Sequence, residues 1–215
     1  MRRGWPKRLA PLFYFSNNQK MKILESANYS EFKKKLAESN CRLCDLSQSR
    51  THIVVDRGNP EAKILFIGEG PGEKEDLEAK AFVGRSGKLL DKLMLEAGFD
   101  TNKESLIINV VKCRPPKNRS PKKIEAETCL PYLKKQMELV RPEIVILLGK
   151  TALQYILPDK EIVSMKEEVG KFFVSASYPG AQFMIFFHPA YLLRDPRKLF
   201  LAREHIKTFK VYYDR

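Results

Sequence analysis

KILFIG, at residues 63–68, is the stretch that decides the fold of this 215-residue chain. It is a short, continuous apolar run that ends in glycine, which is typical of a strand buried on both faces in a parallel sheet. Two runs of the same kind follow, LIINVV at Leu106–Val111 and IVILLG at Ile144–Gly149. FFVSA and MIFF, at Phe172–Ala176 and Met184–Phe187, are further strand candidates.

Helical patterns separate these runs. We expect a first helix from Ser30 to about Ser39 and another capped by Ser86, because serine side chains cap helix N-termini. A further helix is expected after Ser120, and Pro131 should break or kink it. Strands that alternate with helices predict a mostly parallel sheet between helical layers, an α/β fold. In such folds ligands bind at the carboxyl ends of the strands.

The composition bounds the class of protein. An apolar content of 43% is normal for a globular chain, and the length suits one well-buried core. Thirty-nine Lys and Arg against 26 Asp and Glu give a net charge of +13, which attracts polyanions but does not by itself identify a nucleic-acid binder. No apolar run approaches the ~18 residues of a membrane-spanning helix, so we expect a soluble, cytoplasmic protein with no membrane partner. The Lys- and Glu-rich composition suggests a heat-adapted source.

Residues 1–28 are expected to form a basic N-terminal extension ahead of a single domain at residues 29–215. Pro6 and Pro11 interrupt the extension, and no small-residue cleavage site follows, so it does not match a secretory signal. Met21 would make a natural start, so the first residues are either an appendage or a mis-assigned start.

All four cysteines fall in one pattern, a CxxC at Cys41 and Cys44 followed by Cys113 and Cys129. A CxxC turn lets two sulfurs face one metal, and two more thiolates complete a tetrahedral set. The alternative is a mixture of buried free thiols and a redox pair, since disulfides are disfavoured in a cytoplasmic chain. The use of every cysteine favours a metal site, but the spacing leaves zinc and an iron–sulfur cluster both open.

The loop GEGPGEKED at Gly68–Asp76 follows the first strand. It completes neither the Walker pattern nor the GxGxxG pattern, so a phosphate-binding role is disfavoured. Its carboxylates suit the positioning of water, the stabilisation of a cation or the binding of metal. The alternative is a solvated acidic turn, which we prefer for Glu73.

Two further residues are placed like site residues. Asn109 lies within an apolar strand, where an amide is costly unless paired, so it is either a structural hydrogen bonder or a ligand reader. His188 follows the last strand candidate beside a proline. A basic loop at residues 112–119 adds positive charge.

In combination these pieces resemble the family 4 uracil-DNA glycosylases, the thermostable iron–sulfur members of the uracil-DNA glycosylase superfamily. They occur in the family's order across nearly everything beyond the N-terminal extension. The pieces are CRLC at Cys41–Cys44, GEGPGEKED at Gly68–Asp76, AFVGRSG at Ala81–Gly87, NVVKCRPPKNR at Asn109–Arg119, Cys129, and HPAYLLR at His188–Arg194.

The resemblance implies a single-domain, three-layer α/β/α sandwich with a 4Fe–4S cluster on Cys41, Cys44, Cys113 and Cys129. It implies a monomeric DNA-repair enzyme of the prokaryotic cytoplasm, associated with the nucleoid. The implied reaction is hydrolysis of the N-glycosidic bond of a flipped-out uracil in single-stranded DNA or in U·G and U·A pairs, which leaves an abasic site.

The resemblance also assigns the base pocket. Phe82 would stack on uracil, Asn109 would read its O4 and N3 edge, and the backbone at Gly70 would contact the neighbourhood of O2. His188 would donate to O2, where negative charge develops.

Three more residues are assigned to the reaction by the same likeness. Glu69 and Glu75 match carboxylates of the site, with Glu75 favoured as the group that holds water. Asn118 matches a polar residue implicated in catalysis.

The resemblance further implies a set of residues that contact DNA. Leu192 or Leu193 would fill the gap left by the flipped base, and basic and polar residues would lie along the phosphates. The latter are Arg85, Ser86, Lys112, Arg114, Lys117, Arg119 and Arg194.

Two other classes of protein compete with this interpretation. One is a non-catalytic, zinc- or iron–sulfur-stabilised DNA-binding module, and the other is a nucleotide-handling enzyme that uses the glycine loop. A sliding clamp is a further possible partner, contacted through the extension or through the aromatics Phe209, Tyr212 and Tyr213, for which core packing of the last helix is the alternative.

Overall fold

The computed structural model describes residues 18–161 and 164–215. The basic residues 1–17, and any clamp contact they make, lie outside the described part. Residues 18–24 are helical, and Ile23 is buried in the core, so the folded unit begins before the boundary expected at residue 29.

The described residues form a six-stranded sheet in the order β1-β3-β2-β4-β6-β5. The four inner strands run parallel to one another, and the edge strands β1 and β5 pair antiparallel with β3 and β6. The bounds are β1 Arg57–Gly58, β2 Ile64–Gly68, β3 Ser105–Asn109, β4 Ile144–Leu148, β5 Phe172–Val174 and β6 Gln182–Phe186.

Helices connect these strands, and 3₁₀ turns lie at Asp45–Gln48, Pro116–Asn118 and Pro196–Lys198. In the described ranges, no helix combines the length and the apolar character that crossing a membrane requires. The helices are α1 Tyr29–Glu38, α2 Glu73–Glu78, α3 Arg85–Glu96, α4 Thr101–Glu104, α5 Lys123–Val140, α6 Gly149–Ile156, α7 Met165–Glu168, α8 Pro189–Arg194 and α9 Leu199–Tyr213.

The KILFIG strand shows how the layers form. Successive side chains of a strand point to opposite faces, so β2 serves two cores. Leu65 and Ile67 pack in the core on the side of α1, α5 and α6. Ile64 and Phe66 pack in the core on the side of α3 and α9. The expected three-layer α/β/α sandwich around a mostly parallel sheet is confirmed.

Several expected helix boundaries are wrong. Asn28, not Ser30, caps α1, because its side chain accepts the Glu31 N–H at 2.9 Å. Gly84, not Ser86, precedes α3. Pro131 lies inside α5 without ending it, since a proline removes one helical hydrogen bond and the flanking turns continue.

The C-terminal aromatics pack against the core to different extents. Phe209 is fully buried, and Tyr213 packs against Phe99 with ring centroids 5.3 Å apart. Tyr212 contacts Phe172 at 4.5 Å. Packing of α9 therefore accounts for Phe209 and Tyr213, whereas Tyr212 is 37% exposed.

Candidate active site

A cleft of about 640 Å³ opens at the carboxyl ends of the central strands. The register pairs Gly68 with Asn109 at the ends of β2 and β3, and His188 follows β6 by two residues. The site residues that sequence analysis named and that line this cleft are Glu69, Gly70, Glu75, Phe82, Arg85, Ser86, Asn109, Asn118, Arg119, His188 and Arg194.

Phe82 is held in an unusual backbone conformation. Its φ is 53°, in the left-handed region, which costs a non-glycine residue about 1–3 kcal/mol. Gly87 allows this turn, because a Cβ there would lie 1.7 Å from the Phe82 carbonyl oxygen. A Cβ at Gly68 would lie 2.5 Å from both the Phe82 ring and Asn109 Oδ1. The ring and the amide therefore lie side by side over the end of β2.

The side-chain amide of Asn109 is buried at the end of β3. Its side chain is 1% exposed, and neither Oδ1 nor Nδ2 has a hydrogen-bond partner among the described residues. A buried polar group without a partner costs about 1–3 kcal/mol. Because this amide lines the cleft, a ligand with one acceptor and one donor on the same edge can satisfy it.

His188 is oriented by the first turn of α8. Its Nδ1 accepts the Ala190 N–H at 3.1 Å, so the neutral ring carries its proton on Nε2. Burial lowers the pKa of His188 and favours that neutral form, while the charge of Glu69 opposes the shift. The ring centroid lies 6.0 Å from that of Phe82. The imidazole is thus a neutral donor beside the aromatic ring.

The two loop carboxylates have different surroundings. Glu75 is buried, its Oε1 accepts the Gly84 N–H at 2.7 Å, and a Cβ at Gly72 would lie 2.8 Å from its Oε2. It braces the loop against the start of α3. Glu69 is half-buried and accepts a hydrogen bond from the Thr151 hydroxyl. The geometry therefore favours Glu69, and not Glu75, as the carboxylate available to the cleft.

The basic loop lies at the rim. Arg114 Nε donates to Asn118 Oδ1 at 2.8 Å, and Arg114 also lies 3.4 Å from the exposed carboxylate of Glu73. Arg119 makes two hydrogen bonds to the buried Glu125, at 2.6 and 2.8 Å. Lys117, Arg85 and Arg194 are exposed, and Ser86 is half-buried.

Two residues expected to contact DNA are not available to it. Lys112 is 1% exposed, and its Nζ donates to the Asn109 carbonyl oxygen at 2.6 Å, so it cannot lie along the phosphates. Leu192 is 3% exposed and packs in the core on the side of α3 and α9. Its neighbour Leu193 is 36% exposed and is the leucine that can enter a gap in DNA.

With this geometry in place, the relatives of the chain are informative. A sequence model of the uracil DNA glycosylase superfamily matches residues 55–212. The chain belongs to this superfamily. It is 42% identical over 156 residues to a type-4 uracil-DNA glycosylase of Thermotoga maritima, covering 72% of this chain and 79% of that protein. It is 41% identical over 160 residues to a type-4 uracil-DNA glycosylase of Saccharolobus solfataricus, covering 73% of this chain and 74% of that protein. It is 38% identical over 174 residues to one of Archaeoglobus fulgidus, covering 80% of this chain and 85% of that protein. The resemblance to family 4 is confirmed.

The cysteines of this superfamily member surround one small pocket. All four line it, together with Lys112 and Tyr132. Burial raises the pKa of Cys113 to about 12 and that of Cys129 to about 11, so four thiolates here need positive charge from a bound group. The donor set fits a thiolate-bound metal group. No three His, Cys, Asp or Glu side chains among the described residues are arranged to hold a single ion, so the fit rests on the four sulfur donors around this pocket and not on a preformed single-ion site.

Sequence analysis missed the contribution of the β4–α6 turn of this glycosylase fold. Gly149, with φ +84°, gives room to His188, because a Cβ there would lie 3.0 Å from the His188 Cβ. Thr151 holds Glu69. The rule that ligands bind at the carboxyl ends of parallel strands would have directed attention to both residues.

Proposed function

We propose that the protein is a monofunctional DNA-repair glycosylase that hydrolyses the N-glycosidic bond of a flipped-out uracil and leaves an abasic site. The observation that carries this proposal is the Asn109 amide, which lines the cleft beside the Phe82 ring and has no hydrogen-bond partner among the described residues. The type-4 names of the relatives support the same reaction.

Recognition rests on the edge of the base. The Asn109 Nδ2 donates to uracil O4 and its Oδ1 accepts the N3–H, while the Phe82 ring stacks on the base and the Gly70 backbone contacts it near O2. Cytosine presents the reverse pattern of donor and acceptor, so the same amide rejects it.

Bond cleavage is driven by stabilising the leaving group. As the bond from C1′ to N1 breaks, its electron pair passes to uracil and negative charge develops on O2. The neutral His188 ring donates its Nε2–H to that oxygen. A single well-placed donor of this kind lowers the barrier by roughly 3–4 kcal/mol.

The second half of the reaction uses a carboxylate. The oxygen of an attacking water bonds to C1′, and its proton passes to Glu69, whose charge also favours the cationic sugar. Asn118 also lines the cleft, at its rim, and takes part in catalysis there. Glu75 acts by holding the loop in shape.

DNA is held by the rim. Arg85, Ser86, Arg114, Lys117 and Arg194 contact phosphates, with Arg119 contributing beside its ion pair to Glu125. Leu193 fills the space that the flipped nucleotide leaves. Flipping costs least where the base is unpaired or mismatched, so single strands and U·G pairs are better substrates than U·A pairs.

We further propose that Cys41, Cys44, Cys113 and Cys129 hold a 4Fe–4S cluster. A bound cluster supplies the positive charge that four thiolates require and ties the CxxC segment to the rim loop. A brown protein that absorbs near 400 nm supports the cluster, whereas a colourless protein containing one zinc per chain contradicts it. The enzyme acts as a monomer on nucleoid DNA in the cytoplasm of a prokaryote. We assign any contact with a sliding clamp to residues 1–17.

The decisive test is strand scission. The protein is incubated with an oligonucleotide containing one uracil, treated with alkali, and compared with a thymine control. Scission at uracil alone is expected. Binding without scission would instead favour a non-catalytic DNA-binding module. Asn109→Asp should weaken the preference for uracil over cytosine, and an unchanged preference would remove Asn109 from its reading role.

A further inference from the structure

The first turn of α6, which directly follows β4, contacts both residues to which the proposed function assigns the chemistry. Gly149 lies against the His188 Cβ, and the Thr151 hydroxyl donates to Glu69 Oε2. Thr151 is half-buried in the first turn of α6 and does not itself line the cleft. It therefore acts on the site through Glu69, not on a ligand.

The hydrogen bond constrains a flexible side chain. A free glutamate samples several rotamers, and fixing such a side chain costs up to about 2 kcal/mol of conformational entropy. One oxygen of Glu69 is fixed by Thr151, and the other, Oε1, makes no hydrogen bond to the described residues. The first turn of a helix also favours a negative charge, so the carboxylate is stabilised where it is needed.

We propose that Thr151 is a positioning residue that fixes Glu69 with its second oxygen directed at the attacking water. This inference rests on the proposed function, in which Glu69 accepts a proton from the attacking water. Misplacing a catalytic group by about 1 Å can cost on the order of a hundredfold in rate. Loss of the Thr151 hydroxyl should therefore lower kcat and leave the KM for DNA nearly unchanged.

The test uses variants of equal shape. Thr151→Val keeps the size and branching of threonine and lacks the donor, and should lower kcat by about tenfold to a hundredfold. Thr151→Ser keeps the hydroxyl and should restore most of the rate. Gln154→Ala, an exposed change on the same helix, is the matched control and should behave like the parent protein. Thr151→Ala supplies a second variant without the donor if Thr151→Val does not fold.

A double-variant cycle separates positioning from general structural damage. Glu69→Gln should lower kcat by itself, and adding Thr151→Val to it should cost little more, because the group that Thr151 positions is already gone. Full additivity, or an unimpaired Thr151→Val enzyme, overturns the inference while leaving the glycosylase intact. A parent protein that fails to cleave uracil-containing DNA overturns the proposed function and the inference together.

Discussion

In the described part of the chain, the core and the cleft region each contain a side-chain amide and a leucine, but the core amide is hydrogen-bonded and the core leucine is buried, whereas those of the cleft region are not. In the core, Gln136 Nε2 donates to the Tyr29 hydroxyl at 3.0 Å and to a backbone carbonyl at 3.2 Å. Only its Oε1 lacks a hydrogen-bond partner among the described residues. At the cleft, Asn109 leaves both amide atoms without a partner among the described residues. Two consecutive leucines divide likewise, with Leu192 buried and Leu193 exposed.

This difference separates residues that hold the fold together from residues that wait for a ligand. Buried polar groups are paired in most proteins, and an exception at a cleft is a candidate binding group. A side chain of the first kind should affect stability when changed, and one of the second kind should affect activity. Each pair therefore supplies its own matched control.

The leucine pair should give the largest effect. Leu192→Ala removes a packed side chain from the core and should lower the free energy of unfolding by about 2–5 kcal/mol. Leu193→Ala should leave the unfolding midpoint nearly unchanged and slow excision from U·A duplexes more than from single strands. Denaturant unfolding and strand-scission rates measure the two. Equal destabilisation by both changes would contradict the assignment of Leu193 to the DNA.

His188→Ala should give the next largest effect. Loss of one donor to a developing anion lowers kcat by about a hundredfold to a thousandfold. DNA affinity and thermal stability should change little, because the ring makes one hydrogen bond to its own turn. Single-turnover excision and filter binding test this. A variant that loses binding and rate in parallel would assign His188 to DNA binding instead.

The parallel sheet could be predicted from the sequence because burial on both faces leaves a continuous apolar run. KILFIG, LIINVV and IVILLG each lie within one or two residues of β2, β3 and β4. Asn109 stood out for the same reason, as a polar residue in an apolar strand. The helix starts were harder, because Gly84 is positioned by a carboxylate nine residues earlier, a contact that local patterns do not contain.

The rest of the site depends on contacts that sequence does not reveal. Lysine is usually exposed, and nothing in the sequence indicated that Lys112 would donate to the Asn109 carbonyl oxygen. Sequence analysis favoured Glu75 over Glu69, but both lie in one acidic loop, and the hydrogen bonds that distinguish them come from outside it. Their partners, Thr151 and Gly84, come from separate segments.

The amide pair should give effects of opposite sign. Asn109→Leu removes a buried polar group that has no partner in the described part of the chain, and should raise the free energy of unfolding by about 1–3 kcal/mol while abolishing uracil excision. Gln136→Leu leaves the Tyr29 hydroxyl with one partner fewer and should be destabilising, with excision retained below the unfolding transition. Urea titrations give both signs. Destabilisation by both changes would mean that Asn109 is a structural residue.

The smallest effect is the pH dependence of His188, which Glu69 and Arg194 face. Because burial lowers its pKa below 6.5, the ring is neutral at pH 7, and excision should decline only as the pH falls through the lowered pKa, tenfold per unit below it. The unfolded chain binds that proton first, so stability should rise with pH up to about 6.5 and then level off. Excision rates and unfolding midpoints across pH 5–8 measure both trends. His188→Gln, whose amide donates a hydrogen bond without titrating, should not show this decline of excision at low pH. A limb centred above 6.5 would mean that the cleft stabilises the charged ring, contrary to the role given to the neutral donor.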